Sequence, residues 1–244
     1  STASNTDGSI TSSVRANQTA GFSIVSYTGN GHGQAVGSST ATVGHGLNAK
    51  PEFIIVKNRE DSQDWSVYHV GTDATAPENY YLSLNKTDSR GANSSSDKWS
   101  NIAPTSSVFT LGSSASVNRG NNDHIAYCFA PVDQFSAFGV YTSNNLADGP
   151  FVSLSFRPRW IMFKNIDSTW GWYIHDTERS PDNSATEHLI ANASNAEATF
   201  AIVDILSNGF KLTAVSEQWN KNTDKIIYVA FAENPFSSNG GLAR

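Results

Sequence analysis

The chain has 244 residues and a formal net charge of −6, with its lysines and arginines scattered singly. It therefore has no basic stripe to neutralise a nucleic-acid backbone. Abundant Ser, Thr, Asn and Gly favour many short strands with polar turns over long helices. An aromatic content of 11% requires a packed core and excludes a wholly disordered chain. No apolar run approaches the roughly 18 residues of a membrane helix, so membrane insertion is not expected.

In chain order, residues 1–20 are small and polar, and we predict that they form a linker from an upstream region. Two related halves follow, 21–135 and 136–244. The segment Pro51–Asn58 returns as Pro158–Asn165, an offset of 107 residues (158 − 51). Because this register is kept over a long stretch without a gap, the sequence indicates an internal duplication.

A later block repeats with a different offset. Tyr127 matches Tyr228 at 101 residues (228 − 127), whereas Phe129 matches Phe231 at 102 (231 − 129). The difference predicts one inserted residue within this strand of the second half, as a β-bulge would require.

Both halves consist of short runs rich in Val, Ile, Phe, Tyr and Trp between clusters of Gly, Asn, Asp and Ser. Such runs predict about seven strands in each half and no amphipathic helix. The expected fold class is all-β, an antiparallel β-sandwich of jelly-roll or lectin-like type. The halves could form one large sandwich or two small ones. We favour one packed unit, because duplicated halves often share a core.

Aromatic residues kept in both halves are most simply explained by the fold, since both copies must build the same strands. We therefore predict that Trp65 and Trp172 pack in the core, and likewise Phe109 and Phe210.

Three tryptophans, Trp99, Trp170 and Trp219, have no aromatic counterpart in the other half and lie among polar residues. Exposed aromatic rings in loops stack on the apolar face of sugars, while neighbouring amides and carboxylates bind the hydroxyls. These residues are our candidate ligand-binding residues. The alternative is that they cover the edge of a sheet.

Catalytic motifs are absent from the sequence. It contains no His-Glu-x-x-His or Cys-x-x-Cys motif, so no zinc site is predicted, and neither a catalytic residue nor a cofactor is proposed. Whether calcium binds is left open. The enzymatic alternative is glycoside hydrolysis by two carboxylates, with Asp176 and Glu178 as candidates. Arg179 follows closely and favours an ion pair that closes the strand. We expect a non-enzymatic protein.

Five segments together resemble a known family; these are Ala20–Gly31, Val43–Leu47, Pro104–Phe109, Ala126–Ala130 and Asp148–Val152. They are similar to a domain of unknown function that recurs in tail and tail-fibre-like proteins of marine phages and cyanophages. The similarity runs from about residue 12 to the C-terminus.

The resemblance implies a module on the surface of the virion, with a lectin-like β-sandwich that contacts the host cell. Its expected partners are host-surface polysaccharide or lipopolysaccharide and other virion proteins. A homo-oligomer is also expected, a trimer by analogy with fibres. The family brings no catalytic residues. A purely structural domain of the tail, head fibre or capsid decoration is the alternative.

Overall fold

A computed structural model describes residues 2–31, 40–93 and 97–234. Its elements are almost all strands, paired antiparallel within each sheet, so the predicted all-β antiparallel fold class is confirmed. Among the described residues, no helix is long and apolar enough to cross a membrane.

The chain divides into two compact units. Unit 1 comprises residues 1–84 and 90–131, and unit 2 comprises residues 85–89 and 132–244. Each unit has its own cluster of buried apolar side chains.

Unit 1 contains an eight-stranded sheet in the order β1-β2-β3-β10-β5-β6-β7-β8 and a two-stranded ribbon, β4-β9. Its strands are β1 (Ala3–Asn5), β2 (Ser12–Asn17), β3 (Phe22–Thr28), β4 (Ala41–Gly44), β5 (Phe53–Asn58), β6 (Ser66–His69), β7 (Tyr80–Ser83), β8 (Gly91–Ala92), β9 (Val108–Leu111) and β10 (Asp123–Phe129). Two 3-10 turns, Val70–Thr72 and Pro77–Asn79, and one short helix, α1 (Ala115–Asn118), complete the unit.

The core of unit 1 lies between the sheet and the ribbon. Alternate residues of β3, including Val25 and Tyr27, point inward, as the two-residue period of a strand requires. Val43 and Phe109 from the ribbon join the same buried cluster, which gives the unit a sandwich-like arrangement.

Unit 2 contains one eight-stranded sheet in the order β11-β18-β13-β14-β15-β16-β17-β12. Its strands are β11 (Ser136–Thr142), β12 (Phe151–Ser153), β13 (Pro158–Asn165), β14 (Trp172–Asp176), β15 (Ala185–Ile190), β16 (Ala198–Leu206), β17 (Gly209–Leu212) and β18 (Lys225–Ala232). Phe210 from β17 and Phe163 from β13 share one buried cluster, so the sheet curls around its core.

The pairing register confirms the duplication and corrects one detail. Phe53 pairs with Phe129, and Trp160 pairs with Phe231. His124 pairs with Asn58 and Ile226 with Asn165, which again gives an offset of 102 (226 − 124) for the last strand. The offset is therefore constant along this strand, and the predicted insertion between Tyr127 and Phe129 is wrong. The match of Tyr127 to Tyr228 came from similar residues one position out of register.

The repeated Lys-Asn pair at the end of β5 and β13 has a structural role. The Asn58 side-chain oxygen accepts hydrogen bonds from the backbone N–H groups of Glu60 and Asp61, each at 3.0 Å. The oxygen of Asn165 does the same for Asp167 and Ser168. Each asparagine closes the turn after its strand, which explains why both halves keep it.

The N-terminal stretch takes part in the sheet of unit 1. Within residues 1–20, which sequence reasoning assigned to a linker, β2 pairs along its length with β3. Val14 is buried in the core. Successive side chains of a strand point to opposite faces of the sheet, so at most one side chain in two is buried here. The strand therefore needs few apolar residues, and its small, polar composition resembled that of a linker.

The predicted core aromatics are placed as follows. Phe109, Phe210 and Trp172 are buried, as predicted, and Trp65 is only half-buried. Trp65 precedes β6, whereas Trp172 is the first residue of β14, so the two copies bury this ring to different extents.

Candidate functional site

The three candidate tryptophans do not form an exposed surface. Trp99 and Trp219 are only 2% and 3% exposed, and Trp170 is partly buried against the core of unit 2. Each ring covers apolar side chains of its unit, so the exposure expected from the polar neighbours is not found. Polar residues next to these rings, Lys98, Ser100 and Asn220, are buried as well. The indoles turn inward because burying so large an apolar surface is strongly favourable.

Trp219 nevertheless lines an open cleft in unit 2, which we call the aromatic cleft. Its volume is about 270 Å³. The lining residues come from three strands and one loop; they are Tyr173, His188, Ile190, Phe200, Ser216, Gln218 and Trp219.

Four ring side chains define the apolar part of the aromatic cleft. The Phe200 ring lies parallel to the Trp219 ring, with 6.1 Å between centroids and an interplanar angle of 11°. The rings of Tyr173 and His188 pack against the same indole, with centroid-to-centroid distances of 4.6 and 5.5 Å. Phe200 is 45% exposed, so part of its surface is available to a ligand.

The loop that carries Trp219 is held by hydrogen bonds. The backbone N–H groups of Trp219 and Asn220 both donate to the Ser216 carbonyl, at 3.2 and 2.7 Å. The hydroxyl of Tyr141 donates to the Trp219 carbonyl at 2.9 Å. The Asn220 amide donates to the carbonyls of Leu146 and Ala214. These bonds fix the backbone that carries the indole before any ligand arrives, which reduces the entropy lost on binding.

The described residues that line the aromatic cleft include no Asp, Glu, Lys or Arg. Burial raises the pKa of the Tyr173 hydroxyl and lowers the pKa of the His188 imidazole. Next to the cleft, the His175 ring lies 5.4 Å from His188, and burial lowers its pKa to about 3. All three groups are therefore uncharged near neutral pH, and the cleft offers neutral hydrogen-bonding groups beside aromatic rings.

The same framework exists in unit 1. The backbone N–H groups of Val117 and Asn118 both donate to the Ser114 carbonyl, and the Tyr27 hydroxyl donates to the Val117 carbonyl at 2.7 Å. Val117 is thus the counterpart of Trp219, and by the same offset Ser116 is the counterpart of Gln218. Strand pairing likewise makes Tyr81 the counterpart of His188.

In unit 1, however, two side chains fill the position that corresponds to the aromatic cleft. The Lys98 ammonium lies 4.2 Å from the centre of the Tyr81 ring and 3.4 Å from the Ser116 hydroxyl. Trp99 packs edge-on against Tyr68 at 6.1 Å. Both residues are buried. We call Lys98 and Trp99 the plug.

A second depression lies on unit 1 and is polar. Its volume is about 290 Å³, and hydroxyl groups dominate its lining, together with Arg59 and Asp123. The Thr28 hydroxyl donates to Asp123 at 2.8 Å, so that carboxylate already has a partner. Tyr27 is the one aromatic residue among the described residues of this lining.

The carboxylates considered for catalysis are in ion pairs. Asp176 pairs with Arg179 and also accepts hydrogen bonds from the backbone N–H groups of Glu178 and Arg179. Glu178 pairs with Arg159. The predicted ion pair at the end of β14 is confirmed. Within the described ranges, no three His, Cys, Asp or Glu side chains are grouped to hold a metal ion.

Comparison with known proteins gives one match. The model of a family described as Domain of unknown function (DUF7483) matches residues 1–235, nearly the whole chain. No curated protein and no solved structure matches significantly. The expectation of a domain of unknown function is confirmed, and the chain belongs to the DUF7483 family.

Proposed function

We propose that this protein is a binding module of a phage virion appendage, tail or tail-fibre-like, that attaches to a host cell-surface glycan through the aromatic cleft. The resemblance described under Sequence analysis supports the location on the virion surface. The cleft supports the binding role. The expected ligand is a polysaccharide or a lipopolysaccharide of the host.

The observation that carries the proposal is the composition of the aromatic cleft. Sugars present apolar C–H faces and a rim of hydroxyls, and a site for them needs aromatic surface with few, well-placed polar groups. Phe200, which is 45% exposed beside the buried indole of Trp219, supplies the surface. Gln218 supplies hydrogen bonds, although its side-chain oxygen already accepts one from the Ser216 hydroxyl. In unit 1 the plug occupies the counterpart of the aromatic cleft, so unit 2 is the proposed binding unit.

As proposed, the module binds glycan without cleaving it. Glycoside hydrolysis needs two carboxyl groups that flank the scissile bond. Asp176 and Glu178 are paired with arginines, and no carboxylate is among the described residues that line the aromatic cleft.

Binding of the purified chain to intact cells and to extracted surface polysaccharide tests the proposal, with release of reducing sugar followed in the same tube. We expect saturable binding without release. Phe200→Ser should abolish binding, whereas Val140→Ser, which removes a similarly exposed apolar side chain from β11, should not. Release of reducing sugar would favour glycoside hydrolysis. Equal loss of binding in both variants would exclude the aromatic cleft as the binding site.

Exposed apolar residues in unit 2 favour a structural role as the second candidate. Leu146, Phe151 and Val215 are 58%, 47% and 43% exposed. In a virion domain without a glycan ligand, such residues would be covered by neighbouring copies, as in a trimeric fibre. A stable oligomer that loses assembly on Phe151→Ser, together with no glycan binding, would establish this role instead.

A further inference from the structure

We infer that the aromatic cleft takes a single uncharged sugar ring, one per chain, oriented with a hydroxyl at Gln218 and its apolar face towards Phe200. This inference rests on the proposed function, because it specifies the ligand of the same site. Size, charge and comparison with unit 1 each support one part of it.

The size of the cleft limits the ligand. Pockets for drug-sized molecules typically hold about 300–1,000 Å³. At about 270 Å³ the aromatic cleft lies just below that range. It has room for one sugar ring, and the rest of a longer glycan would extend into the solvent.

The charges around the cleft select a neutral ring. Glu217 lies between two lining residues, but its carboxylate pairs with Lys221. Arg179 pairs with Asp176 and Glu197. Among the residues that the structure describes, no cation lines the cleft to compensate the carboxylate of an acidic sugar, and burying an unpaired carboxylate is costly.

In unit 1, a protein side chain occupies the counterpart of the aromatic cleft. Lys98 presents its ammonium to Ser116 and lies over Tyr81. The corresponding positions in unit 2 are Gln218 and His188. Since the ammonium itself lies over the Tyr81 ring, a ligand in unit 2 should likewise place a hydrogen-bond donor at Gln218, close to the His188 ring.

The plug also determines the number of sites. Since Lys98 and Trp99 are buried in unit 1, the described part of that unit has no open counterpart of the cleft, and the expected stoichiometry is one ring per chain.

Calorimetric titration of the full chain with methyl glycosides of common neutral hexoses and with the corresponding methyl uronates tests this inference. We expect one neutral ring per chain and at least tenfold weaker binding of the matching uronate. Gln218→Lys places an ammonium where the hydroxyl is bound and should reverse the preference in favour of the uronate. Lys98→Met in unit 1 is the control and should leave binding unchanged.

The outcomes separate the inference from the proposed function. Equal or tighter binding of uronates by the unaltered chain, or two rings per chain, would overturn the inference and leave glycan binding intact. Binding of polysaccharide without binding of any methyl glycoside would overturn the single-ring site. Failure of every saccharide and polysaccharide to bind would remove the proposed function itself. Unchanged thermal unfolding of each variant shows that loss of binding is not loss of fold.

Discussion

The two units share one hydrogen-bonded framework but differ in the side chains that pack against it. In both, one backbone carbonyl, that of Val117 in α1 or that of Trp219 in a loop, accepts a hydrogen bond from a buried tyrosine. The tyrosine is Tyr27 in unit 1 and Tyr141 in unit 2. Unit 1 places Val117 there and closes the space with the plug, whereas unit 2 places Trp219 there and keeps a cleft. Both units keep the hydrogen-bonded framework because it holds the fold, whereas the side chains packed against it differ between the units.

The largest expected difference between the units is their response to acid. His175 in unit 2 stands where unit 1 has Tyr68, as the pairing with Ile161 and Ile54 shows. Burial lowers the pKa of His175 from 6.5 to about 3. The unfolded chain therefore binds the proton more readily, so the contribution to stability is present above pH 6.5 and is lost as the pH falls towards 3.

At about 1.4 kcal/mol per pKa unit, this loss amounts to at most about 5 kcal/mol. Chemical denaturation between pH 7 and pH 3 measures it. His175→Tyr, which introduces the residue of unit 1, should flatten the pH dependence of unit 2. An equally steep profile for this variant would show that the other histidines, not His175, cause the acid sensitivity.

The plug should contribute stability but not binding. Trp99→Ala removes a buried ring from unit 1 and should lower the free energy of unfolding by about 3–5 kcal/mol, because the cavity left behind collapses only partly. The same variant should bind glycan as the unaltered chain does. Differential scanning calorimetry and the polysaccharide assay measure the two effects, and loss of binding in a folded Trp99→Ala variant would contradict the assignment of the site to unit 2.

The matched tyrosines give a smaller effect. Tyr27→Phe and Tyr141→Phe each remove one hydroxyl that donates to a backbone carbonyl, at 2.7 and 2.9 Å. Tyr27→Phe should cost about 1–3 kcal/mol, since the buried carbonyl of Val117 loses this donor. Tyr141→Phe should cost less, because the Trp219 carbonyl also accepts from the Ser143 hydroxyl at 3.5 Å. Only Tyr141→Phe should also weaken glycan binding, because it loosens the loop that carries Trp219. Thermal unfolding and titration of both variants measure this, and equal weakening of binding by both would argue against a pre-formed cleft in unit 2.

Much of the fold was predictable from sequence. The repeated Pro51–Asn58 and Pro158–Asn165 segments identified the duplication and correspond to β5 and β13. Alternating apolar residues predicted strands, since that period is local. The register of the last strand was mispredicted, because Tyr127 and Tyr228 look alike at the wrong offset and only cross-strand pairing shows which residues correspond.

The candidate site was predictable only in part. Trp219 was singled out because it has no aromatic counterpart in the first half, and it does line a cleft. Trp99 was singled out by the same criterion and closes the corresponding space instead. Phe200 was missed, since an apolar residue within a strand is typical of the core; that 45% of it is exposed beside Trp219 had no local signal.

The sequence by itself determined the all-β class, the duplication and the turn residues such as Asn58 and Asn165, because these depend on composition, period and local hydrogen bonds. Only the tertiary structure decided which loop aromatic fills its unit and which borders a cleft. That outcome depends on side chains brought together from distant strands, here Tyr173, His188 and Phe200 around Trp219, and burial of a ring is a property of this assembly rather than of its neighbours in the chain.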